Sequence, residues 1–140
     1  MLRTQLIHPG ILRALGEAGH GSTVLITDGN FPHGPMPHPA AHRVYLNLSP
    51  GKLLVTEVLE ALVSAVPLEQ VTLMQSDGPT PPEAHEAVRA IIPEGVPVEL
   101  LERFAFYDRT RQPSLALVVA TGDQRLYANV LFTIGVVRAG

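Results

Sequence analysis

The strongest constraint on the fold of this chain is a series of short apolar runs that alternate with helical patterns. The segment Leu115–Ala120 contains no polar side chain, and Thr23–Thr27 is apolar between its two threonines. Strands that are apolar on both faces are typical of sheets covered by helices on both sides. Between these runs, Leu53–Val66 carries apolar residues at helical spacing. The alternation predicts an α/β fold, namely a single three-layer α/β/α domain over residues 1–140 with a mostly parallel or mixed central sheet.

Turn-forming residues divide the rest of the chain into further elements. One helix is predicted at His8–Ala18 and is capped by Gly19. A second is predicted at Pro82–Ile92 and begins with a capping box over Thr80–Glu83. A helical turn or short helix is predicted at Glu102–Thr110. Strands are predicted at Val44–Leu48, Val71–Gln75, Val96–Leu101 and Leu126–Ile134. Residues 28–43, with four prolines, are predicted to form a long ordered loop or a lid.

The composition narrows the class of partners. Apolar residues make up 46% of the chain and charged residues 16%, so we expect some apolar surface to face other subunits. A net charge of -3 without a basic cluster argues against nucleic acid and anionic membranes. The absence of cysteine excludes disulfides and thiol catalysis. Residues 1–5 lack the apolar core of a signal peptide, and no apolar run approaches the roughly 20 residues of a membrane span, so we expect a cytoplasmic protein.

Two polar residues flank the strand predicted at Thr23–Thr27. His20 precedes it between two glycines, and Asp28 follows it before Gly29. The glycines allow sharp turns and the close approach of a small molecule. In open α/β sheets, ligands bind outside the carboxyl ends of the strands, which is where Asp28 is expected. A group that titrates near neutral pH and a carboxylate together suit proton transfer and the anchoring of hydroxyl groups.

A second block of chemistry follows in the C-terminal half. The segment Glu102–Arg109 holds three of the seven aromatic residues, next to two arginines. Tyr127 and Asn129 stand two residues apart in a segment predicted to be extended, so their side chains are expected on the same face. A phenol and a carboxamide on a rigid support suit a polyhydroxy ligand.

These blocks, in this order and spacing, resemble the L-fucose mutarotase / D-ribose pyranase family. The resemblance rests on Gly19–Gly21, Asp28 with Phe31–Pro32, Arg103–Tyr107 and Tyr127–Val130, and it runs from the first helix to Gly135–Val136. The run Arg-Phe-Ala-Phe-Tyr, followed by an acidic residue and an arginine, is closer to the fucose mutarotase branch. Residues 33–50 depart most from the family's pattern.

The resemblance implies a cofactor-free isomerase that acts on the anomeric centre of a free monosaccharide. Matched by position, His20 would be the proton donor, and Asp28, Arg103, Tyr127 and Asn129 would hold the sugar, with the Ala128 backbone nearby. Members of the family assemble into rings, typically decamers, with each site formed between neighbouring subunits. The resemblance therefore also implies a homo-oligomer.

Each of these residues also has a purely structural interpretation. A histidine after a helix end is suited to capping the preceding carbonyls, and Asp28 before Gly29 is typical of an Asx turn. Arg103 has neighbouring carboxylates with which to pair. Tyr127 and Asn129 also suit the edge of a sheet.

The remaining histidines offer a competing interpretation of the site. Three imidazoles, His33, His38 and His42, are sufficient ligands for a catalytic zinc with an open position. The prolines between them argue against a compact ligand face, so the loop is predicted instead to border the sugar site. His8 and His85 are expected at a helix terminus and on an exposed helix face, respectively.

Two alternatives to a fucose-type mutarotase stay open at this point. One is a pyranase that interconverts the pyranose and furanose forms of ribose, which shares the ring-opening step. The other is a non-catalytic protein that binds a sugar without exchanging protons.

Overall fold

The computed structural model describes all residues 1–140 as one sheet with four helices. In chain order the elements are α1 (Pro9–Glu17), β1 (Thr23–Thr27), β2 (His42–Tyr45), α2 (Val55–Val63), β3 (Leu68–Met74), α3 (Glu83–Ile91), β4 (Val98–Leu101), α4 (Arg103–Thr110), β5 (Leu115–Ala120) and β6 (Val130–Ile134). None of the four helices combines the length and the hydropathy that crossing a bilayer requires.

The sheet is mixed, as predicted. Its strands lie in the order β2-β5-β1-β6-β3-β4. β6 runs antiparallel to its neighbours β1 and β3, and every other neighbouring pair is parallel. The carboxyl ends of β1 to β5 therefore share one edge with the amino end of β6. We call this side of the sheet the carboxyl edge, and the opposite side the amino edge.

Helices cover both faces of the sheet, which confirms the three-layer prediction. Val24 and Ile26 of β1 belong to a core of 19 buried residues that includes side chains of α1, α2 and α3. Leu25 points to the other face and belongs to a core of 8 buried residues with Phe106 of α4 and Phe31 of the loop after β1. This alternation follows from the two-residue period of a strand and explains why β1 is apolar throughout.

Several predicted boundaries differ from the structure because of local backbone chemistry. α1 ends at an extended Ala18 rather than at a Gly19 cap, and it is Gly21 that takes a positive φ of 86° as the chain turns into β1. The capping box over Thr80–Glu83 is wrong, because Pro82 is the N-cap of α3 and has no side chain that can accept a hydrogen bond. α1 itself begins as expected, with the His8 Nδ1 accepting a hydrogen bond from the Ile11 N–H at 3.2 Å.

The predicted loop over residues 28–43 ends at Ala41, since β2 begins at His42, and the side chain of Arg43 on β2 ties much of the loop together. The guanidinium of Arg43 donates to four backbone carbonyls within it, those of Gly34 at 3.2 Å and of Pro37, His38 and Ala41 at 2.9 Å. Proline-rich backbone leaves carbonyls without helical or sheet partners, and the five N–H groups of an arginine satisfy several of them at once. The predicted ordered loop is thereby confirmed.

Candidate functional site

A cavity of about 240 Å³ opens at the carboxyl edge of the sheet. The topology brings four segments to it: the residues after β1, the end of β3, the start of α4 and the residues before β6. The cavity is lined by Asp28, Asn30, Phe31, Met74, Arg103, Tyr107, Leu126, Tyr127 and Asn129. Four residues expected from the sequence to hold a sugar, Asp28, Arg103, Tyr127 and Asn129, thus line one cavity, with the buried Ala128 between the last two.

Asp28 is buried in the wall of the cavity, with 3% of its surface exposed. Its Oδ1 accepts hydrogen bonds from the backbone N–H groups of Asn30 and Phe31, both at 2.9 Å, so the Asx turn expected from the sequence is present. The backbone N–H of Asp28 donates to Oδ1 of Asn129 at 2.8 Å. Because that bond fixes the orientation of the Asn129 amide, its Nδ2 group remains as a donor.

The environment of Asp28 makes its ionised form costly. Burial raises the pKa of the Asp28 carboxyl above its ordinary value, and the nearby carboxylate of Asp123 acts in the same direction. The backbone N–H groups of Asn30, Phe31 and Ala128 oppose this shift without cancelling it. The Asx turn engages Oδ1, which leaves Oδ2 as an acceptor for hydroxyl groups of a ligand.

Tyr127 adopts a conformation that the sequence pattern did not predict. Its φ is +58°, so the extended segment expected at Leu126–Ile134 begins only at Val130. The Tyr127 hydroxyl donates to Oδ2 of Asp77 at 3.2 Å, and its backbone carbonyl lies 3.0 Å from Nε2 of His85. Tyr127 and Asn129 reach the same cavity by way of this turn, and not through the alternation of a strand.

Arg103 supplies the positive charge of the cavity. Its Nε donates to the Tyr107 hydroxyl at 3.2 Å, and its guanidinium carbon lies 5.3 Å and 5.6 Å from the ring centroids of Phe104 and Tyr107. The neighbouring carboxylates have other partners. Glu102 caps α4 by accepting from the Phe104 and Ala105 N–H groups, and Asp108 pairs with Arg111 at 2.9 Å. The two terminal nitrogens of Arg103 are therefore left to donate to a ligand.

His20 lies at the amino edge, away from the cavity. It precedes β1, whereas Asp28 follows it, and the five residues of β1 alone span about 13 Å. The structure thus does not bring His20 and Asp28 together within one chain. His20 is exposed, and its Nε2 lies 3.1 Å from Oε1 of Glu69 on β3. It does not cap the helix that precedes it.

His85, expected on an exposed helix face, is buried at 5% exposure in the third position of α3. Burial lowers the pKa of His85 below its ordinary value, and the charge of Arg89 adds to that effect, while the carbonyls of Tyr127 and Met74 oppose it. The neutral imidazole carries one N–H. A carbonyl can only accept, so the contact with Tyr127 places that hydrogen on Nε2.

The three loop histidines are held apart by separate partners. The His33 ring stands edge-on to Tyr45 at 5.7 Å, and His42 Nε2 lies 2.8 Å from Oε2 of Glu17. His38 Nδ1 accepts from the Ala40 N–H at 3.2 Å. These residues form no common ligand set, and no group of three or more histidine, aspartate or glutamate side chains is arranged to hold a metal ion.

A larger polar groove of about 360 Å³ adjoins the cavity and shares Asn30 with it. Its only carboxylate, Asp123, is already engaged. Asp123 accepts from the Val55 N–H at 2.9 Å and from the Arg125 side chain at distances down to 2.7 Å. Burial opposes ionisation of Asp123, but these hydrogen bonds outweigh it and lower its pKa. The smaller cavity is therefore the better candidate site, since its carboxylate has an oxygen to spare.

Sequence reasoning missed part of the cavity lining. Tyr107 lies within the motif Arg103–Tyr107 but had no assigned role, although its spacing of four residues from Arg103 predicts contact on one helix face. Phe31 directly follows the Asx turn. Met74 and Leu126 carry no signal in the sequence beyond their positions next to strand ends at the carboxyl edge.

Comparison with known proteins gives the same assignment as the motifs. Residues 1–137 match the model of the RbsD / FucU transport protein family, which is nearly the whole chain. The chain belongs to the RbsD/FucU family. The resemblance inferred from the sequence motifs is thereby confirmed.

Three solved structures share the fold over nearly their full length. The fucose mutarotase of Streptococcus pneumoniae, solved in complex with L-fucose, is 25% identical with a TM-score of 0.84, covering 99% of this chain and 100% of that chain. FucU from Bifidobacterium longum is 30% identical with a TM-score of 0.80, covering 94% of this chain and 96% of that chain. RbsD of Bacillus subtilis, complexed with D-ribose, is 20% identical with a TM-score of 0.85, covering 99% and 100%, and shows a likeness of fold.

Proposed function

We propose that this RbsD/FucU protein is a mutarotase that interconverts the anomers of a free, L-fucose-like monosaccharide. The observation that carries the proposal is the cavity itself. It joins a buried carboxylate with a spare oxygen, a fixed amide donor and a guanidinium whose two terminal nitrogens have no partner. The similarity to the fucose mutarotase of Streptococcus pneumoniae supports the same reaction.

The lining of the cavity suggests how a sugar is held. Oδ2 of Asp28 accepts from sugar hydroxyl groups, while Nδ2 of Asn129 and the terminal nitrogens of Arg103 donate to them. Phe31, Met74 and Leu126 present apolar surface beside these polar groups. A 6-deoxy sugar places a methyl group where a hexose has a hydroxymethyl group, so the apolar wall favours the deoxy sugar, whose methyl group needs no hydrogen-bond partner there.

Opening the sugar ring requires one proton to be delivered to the sugar and another to be removed from it. As the bond between the anomeric carbon and the ring oxygen breaks, the ring oxygen takes a proton and the anomeric hydroxyl loses one, which leaves an aldehyde. Closure on the other face reverses both transfers and gives the second anomer. A positioned acid or base accelerates such a step by roughly 10²–10⁴-fold. We assign the proton donor to His20, because the motif resemblance places the donor at this position and histidine is the residue that most often acts as a general acid or base in enzymes.

His20 must then come from a second copy of the chain. Within one chain it lies at the amino edge, and the cavity lies at the carboxyl edge. A head-to-tail arrangement brings the amino edge of one subunit to the carboxyl edge of the next, and such contacts form a ring when the rotation between subunits closes. Glu69, 3.1 Å from one ring nitrogen of His20, holds the imidazole in place and leaves its other nitrogen without a partner in the same chain. We propose a homo-oligomer of this kind, with a decameric ring as the expected size.

Saturation-transfer NMR on sugars at anomeric equilibrium tests the reaction. The wild-type protein is expected to accelerate exchange between the anomeric signals of L-fucose more than those of D-ribose. Faster exchange between the pyranose and furanose signals of ribose would instead identify a pyranase. Line broadening without accelerated exchange for any sugar would identify a binding protein.

Two histidine variants test the assignment of the proton donor. His20→Ala is expected to lose exchange and to retain sugar binding. His42→Ala is the matched control, because His42 is also exposed and also paired with a glutamate, Glu17, at 2.8 Å. Equal activity of the two variants would remove His20 from the mechanism.

The cytoplasmic location stays a prediction, which cell fractionation would test.

A further inference from the structure

α3 contacts the backbone of the turn that precedes β6, which lines the cavity, through one buried side chain. His85, at 5% exposure, places its Nε2 3.0 Å from the carbonyl oxygen of Tyr127. The other buried residues of α3, Ala84 and Val88, pack into the larger core with α1 and α2. His85 is therefore the polar contact between α3 and the turn that precedes β6, whereas α2 reaches the same segment through Asp123 and Arg125.

The residue that receives this hydrogen bond has an unfavourable backbone conformation. Tyr127 has a φ of +58°, and it is the only non-glycine residue of the chain with a positive φ. The left-handed region is disfavoured for a residue with a bulky side chain and persists only where surrounding contacts hold it. Tyr127 has two such polar contacts, its hydroxyl with Asp77 and its carbonyl with His85.

The unusual conformation sends the two ends of Tyr127 to opposite layers of the fold. Its ring packs against the smaller core, on the side of α4, and lines the cavity. Its carbonyl points to α3, in the layer of the larger core. Relaxation of Tyr127 to a negative φ would rotate the peptide between Tyr127 and Ala128. That rotation would also displace Asn129, whose amide holds the backbone of Asp28 at 2.8 Å.

We propose that His85 is a positioning residue for the sugar site, holding Tyr127 in its left-handed conformation so that Tyr127 and Asn129 face the cavity. The proposal deepens the proposed function and rests on it for the identity of the ligand. The geometry of the turn does not depend on the reaction, so it provides a separate readout. His85 touches no ligand in this role, and its effect passes through the Tyr127 carbonyl.

Two substitutions at His85 separate the hydrogen bond from the filling of space. In His85→Gln the side-chain amide nitrogen replaces Nε2 as the donor. In His85→Leu the volume is largely kept, but the carbonyl of Tyr127 loses its donor. Val88→Ala is the matched control, because it loosens the same face of α3 one turn further on and removes no hydrogen bond to the turn before β6.

Steady-state anomeric exchange and L-fucose affinity give the functional readout. We expect His85→Leu to raise KM and the dissociation constant for L-fucose about tenfold or more, with a much smaller change in kcat, because the proton donor lies on another subunit. His85→Gln should restore most of the affinity. Val88→Ala should lower the melting temperature and leave KM unchanged. Unchanged affinity in His85→Leu, or an equal loss in Val88→Ala, would overturn the proposal.

Crystal structures of the three variants give the readout that is independent of activity. Tyr127 is expected to leave the left-handed region in His85→Leu and to keep it in His85→Gln and Val88→Ala. A positive φ at Tyr127 in all three would show that His85 does not hold the turn. If the wild-type protein exchanges no sugar but the turn responds as expected, the proposed function fails and the positioning role of His85 stands.

Discussion

Removing the charge of either of two buried aspartates near the carboxyl edge is predicted to change the free energy of unfolding in opposite directions. Asp28 and Asp123 are 3% and 0% exposed, and their carboxylates interact unfavourably with each other. Asp123 has Arg125 as a partner at 2.7 Å, whereas Asp28 has only backbone N–H groups and the cavity. The substitutions Asp28→Asn and Asp123→Asn remove each charge with little change in shape.

The expected magnitudes follow from these partners. Asparagine at position 28 keeps an oxygen for the Asx turn and removes a costly buried charge, so we expect a gain of about 1 kcal/mol in the free energy of unfolding. Asparagine at position 123 leaves Arg125 without its counter-ion and turns an amide toward the Val55 N–H, which costs about 3 kcal/mol. For a chain of this length 1 kcal/mol corresponds to about 3 °C. The melting temperature at pH 7 should therefore rise by about 3 °C for Asp28→Asn and fall by about 10 °C for Asp123→Asn.

The pH dependence distinguishes the two cases further. The raised pKa of Asp28 means that the folded state takes up a proton more readily than the unfolded state, so wild type loses stability as the pH rises through that pKa. The advantage of Asp28→Asn should thus shrink as the pH falls from 7 toward 4.5. The lowered pKa of Asp123 means that its stabilisation is lost only in stronger acid, so the penalty of Asp123→Asn should stay constant over that range.

Thermal melts of the three proteins across this pH range, with L-fucose affinity measured at pH 7, check the prediction. Asp28→Asn should lose at least tenfold in affinity, because a charged acceptor contributes about 1.5–3 kcal/mol to a hydrogen bond. Asp108→Asn, which removes an exposed charge, should change neither quantity. A destabilised Asp28→Asn, or a gain that does not vary with pH, would refute the idea that Asp28 is held at a cost to stability.

Three further predictions concern basic side chains. Arg103→Ala should weaken L-fucose binding roughly 10- to 100-fold in calorimetry without lowering the melting temperature, while Arg111→Ala leaves binding unchanged. Arg43→Ala removes four hydrogen bonds to the predicted loop over residues 28–43, so amide hydrogen exchange in that loop should accelerate. Unchanged exchange would show that Arg43 does not order the loop. Because folding lowers the pKa of His85, the folded state is favoured fully above pH 6.5 and loses stability as the pH falls from 6.5 through the lowered pKa of the folded state. Melting temperatures measured between pH 7 and 5 should therefore fall less steeply for His85→Gln than for wild type.

The sheet and its layers were predictable because they depend on periodicity. The alternation of Val24, Leu25 and Ile26 between two cores requires a strand that is apolar throughout, which is what the sequence shows. Asp28 was predictable at a strand end for the same reason. The motif resemblance extended this reasoning to Arg103, Tyr127 and Asn129, which line the cavity with Asp28.

The features that the sequence did not reveal depend on contacts between distant segments. The segment before β6 was predicted to be extended, and this was wrong. Tyr127 in that segment is left-handed and accepts a hydrogen bond from His85, 42 positions away, and no local sequence pattern indicates either feature. The burial of His85 was missed for the same reason, since its helix position alone does not show that a carbonyl lies opposite it. The separation of His20 from Asp28 follows from their lying at opposite ends of one strand, and their proposed meeting requires a second chain.

Co-expression of two impaired variants, with exchange measured at L-fucose concentrations well below KM, tests the central claim, that the catalytic centre combines the cavity of one subunit with His20 of another. His20→Ala keeps an intact cavity, and Asp28→Asn keeps an intact His20. In mixed oligomers with random assembly, about one quarter of the sites would combine the two intact halves. We predict that the mixture exchanges L-fucose anomers at about that fraction of the wild-type rate. If mixed oligomers form and exchange L-fucose no faster than Asp28→Asn alone, the catalytic centre is not shared between subunits and the account is contradicted.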